Sequence, residues 1–304
     1  MRYTHVRRVG ALLVGLGLIG AACGSSKSQT TGTTSGGATT TAAPAETTAA
    51  TTATTAAPTA TSAAGGSGAL EGMKGLTPLV ELSADFKDRL KTIDPALKDF
   101  NYAAETYDAV TIIALAAEVA KTDGIDLAKE INGVTRGGEK CTDFKTCKAL
   151  IAAGKDPDYD GASGPGEFSG NGEPTQASYG LLEFAGNDRL DDAKTTYLKA
   201  TAPKSADVPQ DAVVGTRKGD GVLKIGTILP QTGSLAFLGP PEFAGFDMAI
   251  KDINDAGGVL GKPAEGIKGD SGDATTDTAN QTVDRLLSQN VDGIIGAAST
   301  QRTG

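Results

Sequence analysis

The sequence predicts an α/β fold built on an open parallel sheet. Three features of the stretch 221–300 carry that expectation: short apolar runs ending at turn residues, helical periodicities between them, and glycine stops after the helices. Val222 to Leu229 is an apolar run ended by Pro230, as in a strand buried on both faces. A polar turn follows, Gln231-Thr232-Gly233-Ser234, and then a helix opening near Pro240-Pro241, where proline suits the first turn. Phe243, Phe246, Ile250 and Ile253 recur at helical spacing on one stripe, and Gly257-Gly258 stops the helix. A weak strand reaches Gly269-Asp270. A second helix runs from about Thr278 to Gln289 with Val283, Leu286 and Leu287 turned inward, and a third strand from Val291 to Gly296. The order is βαβαβ. With right-handed crossovers it forms the first half of an open parallel sheet, in which ligands sit outside the carboxyl ends of the strands. Those ends carry Gln231, Thr232, Ser234, Asp270, Ser271, Ser299 and Thr300, a row expected to offer hydroxyls and free backbone N–H groups with little charge.

The pieces IGTILPQTGSLAFLGPPEFAG, INDAGGVLGKP, GDSGD and GIIGAAST stand in this order within 221–304. Together they resemble the amino-terminal lobe of the branched-chain amino-acid (leucine/isoleucine/valine) binding proteins, the type I periplasmic binding proteins of ABC importers. The resemblance covers nearly all of 221–300.

Arg2, Arg7 and Arg8 precede an apolar run from Val9 to Ala22, too short to span a bilayer, which reads as an export signal over 1–23. Gly20-Ala21-Ala22-Cys23 resembles a bacterial lipobox, with Gly20 where leucine is customary; lipidation at Cys23 is the expectation, an ordinary cleaved signal the alternative. From Gly24 to Ala69 the chain is almost wholly Thr, Ala, Ser, Gly and Pro. Such a composition holds too little apolar bulk to offset chain entropy, so a disordered tether is expected.

A second globular stretch occupies 70–203. Asn101 to Ala120 is apolar nearly all round and predicts a buried helix ended by Asp123-Gly124. A shorter helix is expected near Leu127 to Ile131, stopping at Gly133. Asn171-Gly172 predicts a tight hairpin turn joining a strand at Gly166 to Ser169 with one at Ala177 to Phe184. The pieces YAAETYDAV, GEKCTDFKTCKALIAAGKD and YDGASGPGEFSGNGEPTQASYGLLEF resemble the same family, but its carboxyl-terminal end. The family's end therefore precedes its beginning in this chain. A hydrophilic stretch, 204–220, joins the two, and the middle of the family pattern is absent. The fold class implied is partial lobes of the type I periplasmic-binding-protein fold, Rossmann-like with a parallel sheet. On that reading 70–203 belongs to lobe two and 221–304 to lobe one, whose third strand is left as a sheet edge.

Cys141 and Cys147 stand six apart in a loop between helices. In an exported chain the pair points to a disulfide; a zinc site would need two further ligands. The only histidine is His5, inside the signal, so the rest of the chain has no Ser-His-Asp triad and no imidazole metal ligand. No glycine-rich phosphate loop follows the first strand, and the net charge of −9 with pI near 4.8 argues against nucleic acid. No enzyme, metal or cofactor is expected.

A zwitterionic amino acid presents a carboxylate, an ammonium and an apolar side chain. Hydroxyls and backbone N–H groups near a helix start suit the carboxylate. The resemblance assigns that work to Ser299 and Thr300, with Gln231, Thr232 and Ser234 at the same edge; strand-end capping is the alternative for both sets. Glu105 and Tyr107 are the candidates from the other segment, Tyr107 being equally readable as core. The function implied is a non-catalytic substrate-binding lipoprotein of an amino-acid importer, held by a lipid anchor on the outer face of the cytoplasmic membrane. Its partners would be ABC permease subunits and a small amino acid. The alternative is a surface lipoprotein of the same fold that serves as a sensor or interaction module and binds no solute.

Overall fold

The computed structural model describes residues 67–202 and 212–297. The export signal with Cys23, most of the tether, and Ser299 and Thr300 lie outside the described residues. No helix among the described residues is long and apolar enough to cross a membrane.

β1 (Lys74–Pro78) leads to α1 (Ala84–Ile93), where the Ser83 hydroxyl accepts the Phe86 N–H at 3.2 Å as an N-cap. α2 (Ala103–Ala120) is the long apolar helix. It closes on Lys121 in the left-handed conformation, two residues before the stop expected at Asp123-Gly124. Where the sequence predicts a short helix near Leu127, the chain makes a 3₁₀ turn at Ile125–Lys129, followed by another at Gly133–Thr135. β2 (Glu139–Cys141), α3 (Phe144–Ala152), β3 (Pro157–Gly161), β4 (Gly164–Pro165), β5 (Gln176–Glu183) and β6 (Thr196–Thr201) complete this segment. The second contains β7 (Lys224–Ile228), α4 (Gly239–Asp255), β8 (Glu265–Ile267), α5 (Thr278–Ser288) and β9 (Gly293–Gly296).

The βαβαβ reading of the second segment holds. β7 pairs in parallel with β8 on one side and β9 on the other, with Ile225 opposite Gly293 and Ile228 opposite Gly296. Its first strand is central, so the chain changes direction across the sheet at β7. Ile225 and Ile295 face a layer formed by α2 and α4, while Ile228 and Ile294 face α5. Glycine permits the tight fit on both faces. A Cβ on Gly266 would lie 2.7 Å from the Phe246 ring, and one on Gly226 would lie 2.8 Å from Leu286.

The two segments share one hydrophobic core. Phe86, Leu90, Val110, Leu115, Phe144 and Tyr159 from the first join Leu223, Ile225, Phe246, Met248 and Ile253 from the second. The centre of this joint is the packing of α2 on α4. A Cβ on Gly245 would stand 2.1 Å from the Ala103 carbonyl oxygen, so only glycine admits so close a backbone approach. Farther along, Tyr107 donates to Asp252 at 2.7 Å and Leu260 N donates to Glu118 at 3.0 Å. The end of the connector is tied down as well. The Asp123 carboxylate accepts the N–H groups of Asp220 and Gly221 at 2.9 and 2.8 Å, and Arg217 pairs with the buried Asp292.

β1, β5 and β6 form a separate antiparallel sheet in the order β1-β5-β6, and none of its side chains enters the core clusters. This alters the hairpin expected around Asn171-Gly172. The turn forms, with Gly172 at φ 78° and its N–H bonded to the Ser169 carbonyl at 2.9 Å. The strand expected at 166–169, however, shrinks to a single bridge between Phe168 and Pro174, because proline has no N–H to extend the ladder. β5 pairs elsewhere, with β1 and β6.

In α5 the inward set also differs. Leu286 is fully buried, but Leu287 is 59% exposed, and Thr282 takes an inward place instead, donating to the Asp270 carbonyl at 2.8 Å. Leu287 lies about 100° round the helix from Leu286, beyond the narrow face that meets the sheet. Cys141 and Cys147 form the expected disulfide, with Cα atoms 5.3 Å apart and both residues buried beneath the start of α3.

Two stability measurements follow from this packing. Leu286→Ala is expected to cost about 2–5 kcal/mol in urea denaturation, whereas Leu287→Ala should stay within about 0.5 kcal/mol of the parent. Replacing both Cys141 and Cys147 by alanine is expected to lower stability by roughly 2 kcal/mol, from the chain entropy released by so short a loop. The same change should abolish the effect of reductant on the unfolding midpoint.

Candidate functional site

The carboxyl end of β7 is built by main-chain pairing to the chain beyond β8. Leu229 N donates to the Gly269 carbonyl, and Ser271 N donates back to the Leu229 carbonyl, both at 3.0 Å. Pro230 then ends the strand and the chain turns through Gln231 to Ser234, with Gly233 at φ 85°. α4 starts hard against this end: a Cβ on Gly239 would lie 2.1 Å from the Pro230 carbonyl oxygen.

The N–H groups of this turn are engaged, contrary to the sequence expectation. The Asp270 carboxylate accepts Gln231 N at 2.9 Å, Thr232 N at 3.1 Å and Gly272 N at 2.9 Å, and the Thr232 hydroxyl donates to its other oxygen. Asp273 accepts Ser234 N at 3.0 Å and Thr275 N at 2.9 Å. The physical reason is ordinary turn chemistry, since aspartate side chains cap nearby backbone donors. The Gly269-Asp270-Ser271-Gly272-Asp273 run carried that signal, and it reads as capping rather than as an open cradle.

The edge is therefore anionic. Burial pushes the Asp270 carboxyl up, but the hydrogen bonds from Thr232, Gly272 and Gln231 outweigh it and hold the group below the usual carboxylate range. The Thr275 hydroxyl, then the N–H groups of Thr275 and Ser234, do the same for Asp273. Both aspartates remain charged at neutral pH and near solvent. No intramolecular hydrogen bond among the described residues engages the Ser234 hydroxyl or the Gln231 amide.

Tyr107 and Glu105 are not brought to this edge. Tyr107 is 4% exposed. Its ring meets Phe86 edge-on, with centroids 5.4 Å apart, and its hydroxyl binds Asp252, which also pairs with Arg89. It belongs to the core, as the alternative reading had it. Burial and then Asp252 push its phenol up. Glu105, in the first turn of α2, is half-buried, and burial raises its carboxyl.

Two concavities lie elsewhere on the described surface. One, of about 410 Å³, sits between the β3–β4 turn and the antiparallel sheet, lined by Glu81, Ser163, Gln176, Ser178, Tyr197 and Lys199. The other, of about 370 Å³, opens beside Arg89, Tyr107 and Asp252. Neither reaches the carboxyl ends of the parallel strands. The oxygens of Asp158, Asp160 and Glu167 lie within 4.8 Å of one another, but Lys140 bonds all three at 2.9–3.0 Å and supplies the positive charge there.

Comparison with known proteins agrees with this architecture. The family model described as "Periplasmic binding protein" matches residues 222–304, and that described as "Receptor family ligand binding region" matches residues 3–187. The chain is similar to Leu/Ile/Val-binding protein homolog 7 of Brucella melitensis biotype 1, 34% identical over 106 residues, which are 34% of this chain and 22% of that protein. It is also similar to Leu/Ile/Val-binding protein homolog 7 of Brucella abortus strain 2308, 37% identical over 81 residues, 26% of this chain and 20% of that protein. The chain thus spans about a fifth of the length of the curated relatives it matches. No solved structure matches it. The second of these family matches takes in more than half of the sequence, so the chain belongs to the receptor family ligand binding region, a family of binding modules and not of enzymes.

Proposed function

We propose that the chain is the extracytoplasmic solute-binding component of an importer for branched-chain or related amino acids, with its ligand at the carboxyl edge of β7 and β9. The strand order β8-β7-β9 carries this reading, because it puts the reversal of direction between β7 and β9, where open parallel sheets hold ligands. Asp270 and Asp273 then suit the ammonium end of a zwitterion, while Ser299 and Thr300, which follow β9 in the sequence, remain the proposed carboxylate partners. Gln231 and Ser234 contribute side chains from the turn rather than N–H groups, and Thr232, whose hydroxyl donates to Asp270, contributes that oxygen as an acceptor. The reversed order of the two family segments is compatible with one binding unit, since α2 and α4 bury a common core whichever comes first. Diacylated Cys23 would tether this unit to the outer face of the cytoplasmic membrane, beside its permease. A second reading, a surface module without a solute, is favoured by the turn donors already engaged with Asp270 and Asp273.

Calorimetry of the full chain against leucine, isoleucine, valine and small polar amino acids decides between the two. On the importer reading one of these binds, Ser299→Ala and Asp270→Asn each weaken it about tenfold or more, and the corresponding amide of the ligand's carboxyl group binds poorly. No heat with any ligand at millimolar concentration favours the solute-free reading. The anchor is tested separately: wild-type protein should enter the detergent phase on phase separation, and Cys23→Ala should stay in the aqueous phase.

A further inference from the structure

The antiparallel sheet has its polarity reversed. The register sets Ser178 opposite Lys199, Gly180 opposite Tyr197 and Gln176 opposite Thr201, so Gln176, Ser178, Tyr197 and Lys199 share one face. Leu76 opposite Leu181, and Pro78 and Leu198 opposite Tyr179, put the apolar side chains on the other. The polar face lines the concavity of about 410 Å³ whose far wall is the β3–β4 turn, while the apolar face carries the exposed Leu76 and Leu198. A sheet with one solvated face ordinarily does the opposite, turning its apolar side chains toward the rest of the molecule. The charged groups of the concavity are not used by the fold. Glu81, in the β1–α1 connection, and Lys199 both line it, and among the described residues neither makes an ion pair or hydrogen bond, with the other or with any group. The same holds for the side chains of Gln176, Ser178 and Tyr197. By contrast Lys74 and Lys194 both pair with Glu183, whose side chain belongs to the apolar face. The far wall is fixed: Asp108 of α2 accepts the N–H groups of Ala162 and Ser163 at 2.9 and 2.7 Å and the Ser163 hydroxyl as well.

We propose that the cavity between the β3–β4 turn and the polar face of the antiparallel sheet is a second small-molecule site, and that its ligand is a small polar zwitterion of about the size of a free amino acid. A molecule that carries both a carboxylate and an ammonium answers both unpaired charges: its carboxylate takes the Lys199 ammonium and its ammonium takes the Glu81 carboxylate. A simple anion or a simple cation would leave one of the two without a partner. Gln176, Ser178 and Tyr197 offer an amide and two hydroxyls between these ends, so a ligand side chain with hydrogen-bonding groups is favoured over an aliphatic one. The volume lies within the ordinary range of ligand pockets. One wall is held to α2 through Asp108 and the other belongs to the outer sheet, so a ligand bridging them stabilises that sheet against local opening. The site is separate from the carboxyl edge of β7 and β9, and it stands whether or not that edge takes a ligand.

The test is calorimetry of the full chain with glutamine, serine and leucine, joined to amide hydrogen exchange with and without glutamine. Glutamine or serine is expected to bind, with leucine at least about tenfold weaker, and bound glutamine should slow exchange in β5, β6 and the β3–β4 turn. Lys199→Gln and Glu81→Gln are each expected to weaken binding about tenfold or more, since each removes one charge-assisted hydrogen bond. Both side chains are exposed, so both variants should keep the urea midpoint of the parent. Asp270→Asn, at the carboxyl edge of β7, is expected to leave this binding unchanged, which separates the two sites. Glutamine with its α-carboxyl group converted to an amide, or with its α-amino group acetylated, should bind poorly to the wild type. No heat with any of the three amino acids at millimolar concentration overturns the proposal. So does leucine binding as tightly as glutamine, binding that Asp270→Asn weakens while Lys199→Gln and Glu81→Gln leave it intact, or protection confined to elements other than β5, β6 and the β3–β4 turn.

Discussion

The approach of α2 to α4 over Gly245 is the contact on which the rest of the described structure depends. It lets the Ala103 carbonyl come within 2.1 Å of where a side-chain carbon would stand, and that closeness buries α2 on nearly every face. A helix of this composition has no exposed orientation that water tolerates, so it needs partners on all sides. α4 supplies the largest of them, α3 and the 3₁₀ turns supply others, and β9 reaches it through Gly293 against Ile113. The order of segments in the chain does not enter this packing. A core is defined by which surfaces meet, and the connector has only to span the distance, which Arg217 and Asp123 fix at its end.

What the sequence revealed and what it hid divide along the range of the interactions. Local periodicity exposed β7, α4, α5, β9 and α2, because each buries its apolar residues at a spacing that needs no knowledge of the partner. The glycine stops at 257 and 258 were equally readable, both adopting positive φ. Leu287 was misplaced because the pattern gives the direction of an apolar stripe but not its width, and a short helix on a three-stranded sheet covers only a narrow face. The antiparallel sheet was harder. β1 and β5 lie about a hundred residues apart in sequence, so no turn signal links them, while the visible turn at Asn171-Gly172 leads into Pro174 and cannot extend.

At the site the hidden quantity was charge. Thr232 and Ser234 looked like donors awaiting an anion, and they are donors. Their N–H groups, however, point at carboxylates brought from the next βα connection. Sequence alone does not tell whether an aspartate at a strand end faces a ligand or its own neighbouring turn, since both uses call for the same residue at the same edge. The family matches speak to the class of fold and of function; this electrostatic character is a property of the present residues.

The antiparallel sheet stands in contrast to the α/β core. Leu76 is 63% and Leu198 43% exposed, and its ion pairs, Lys74 and Lys194 with Glu183, are on the surface. Exposed pairs of that kind contribute little, so this sheet rests chiefly on its own main-chain hydrogen bonds. The described chain therefore combines a firm unit, in which both segments and the disulfide meet, with a weaker one that opens at lower free energy. The carboxyl edge of β7 and β9 belongs to the firm unit. A ligand bound there would be held by groups whose positions are set by the α2–α4 joint, and the strength of that joint, rather than of the outer sheet, limits how rigid the site is.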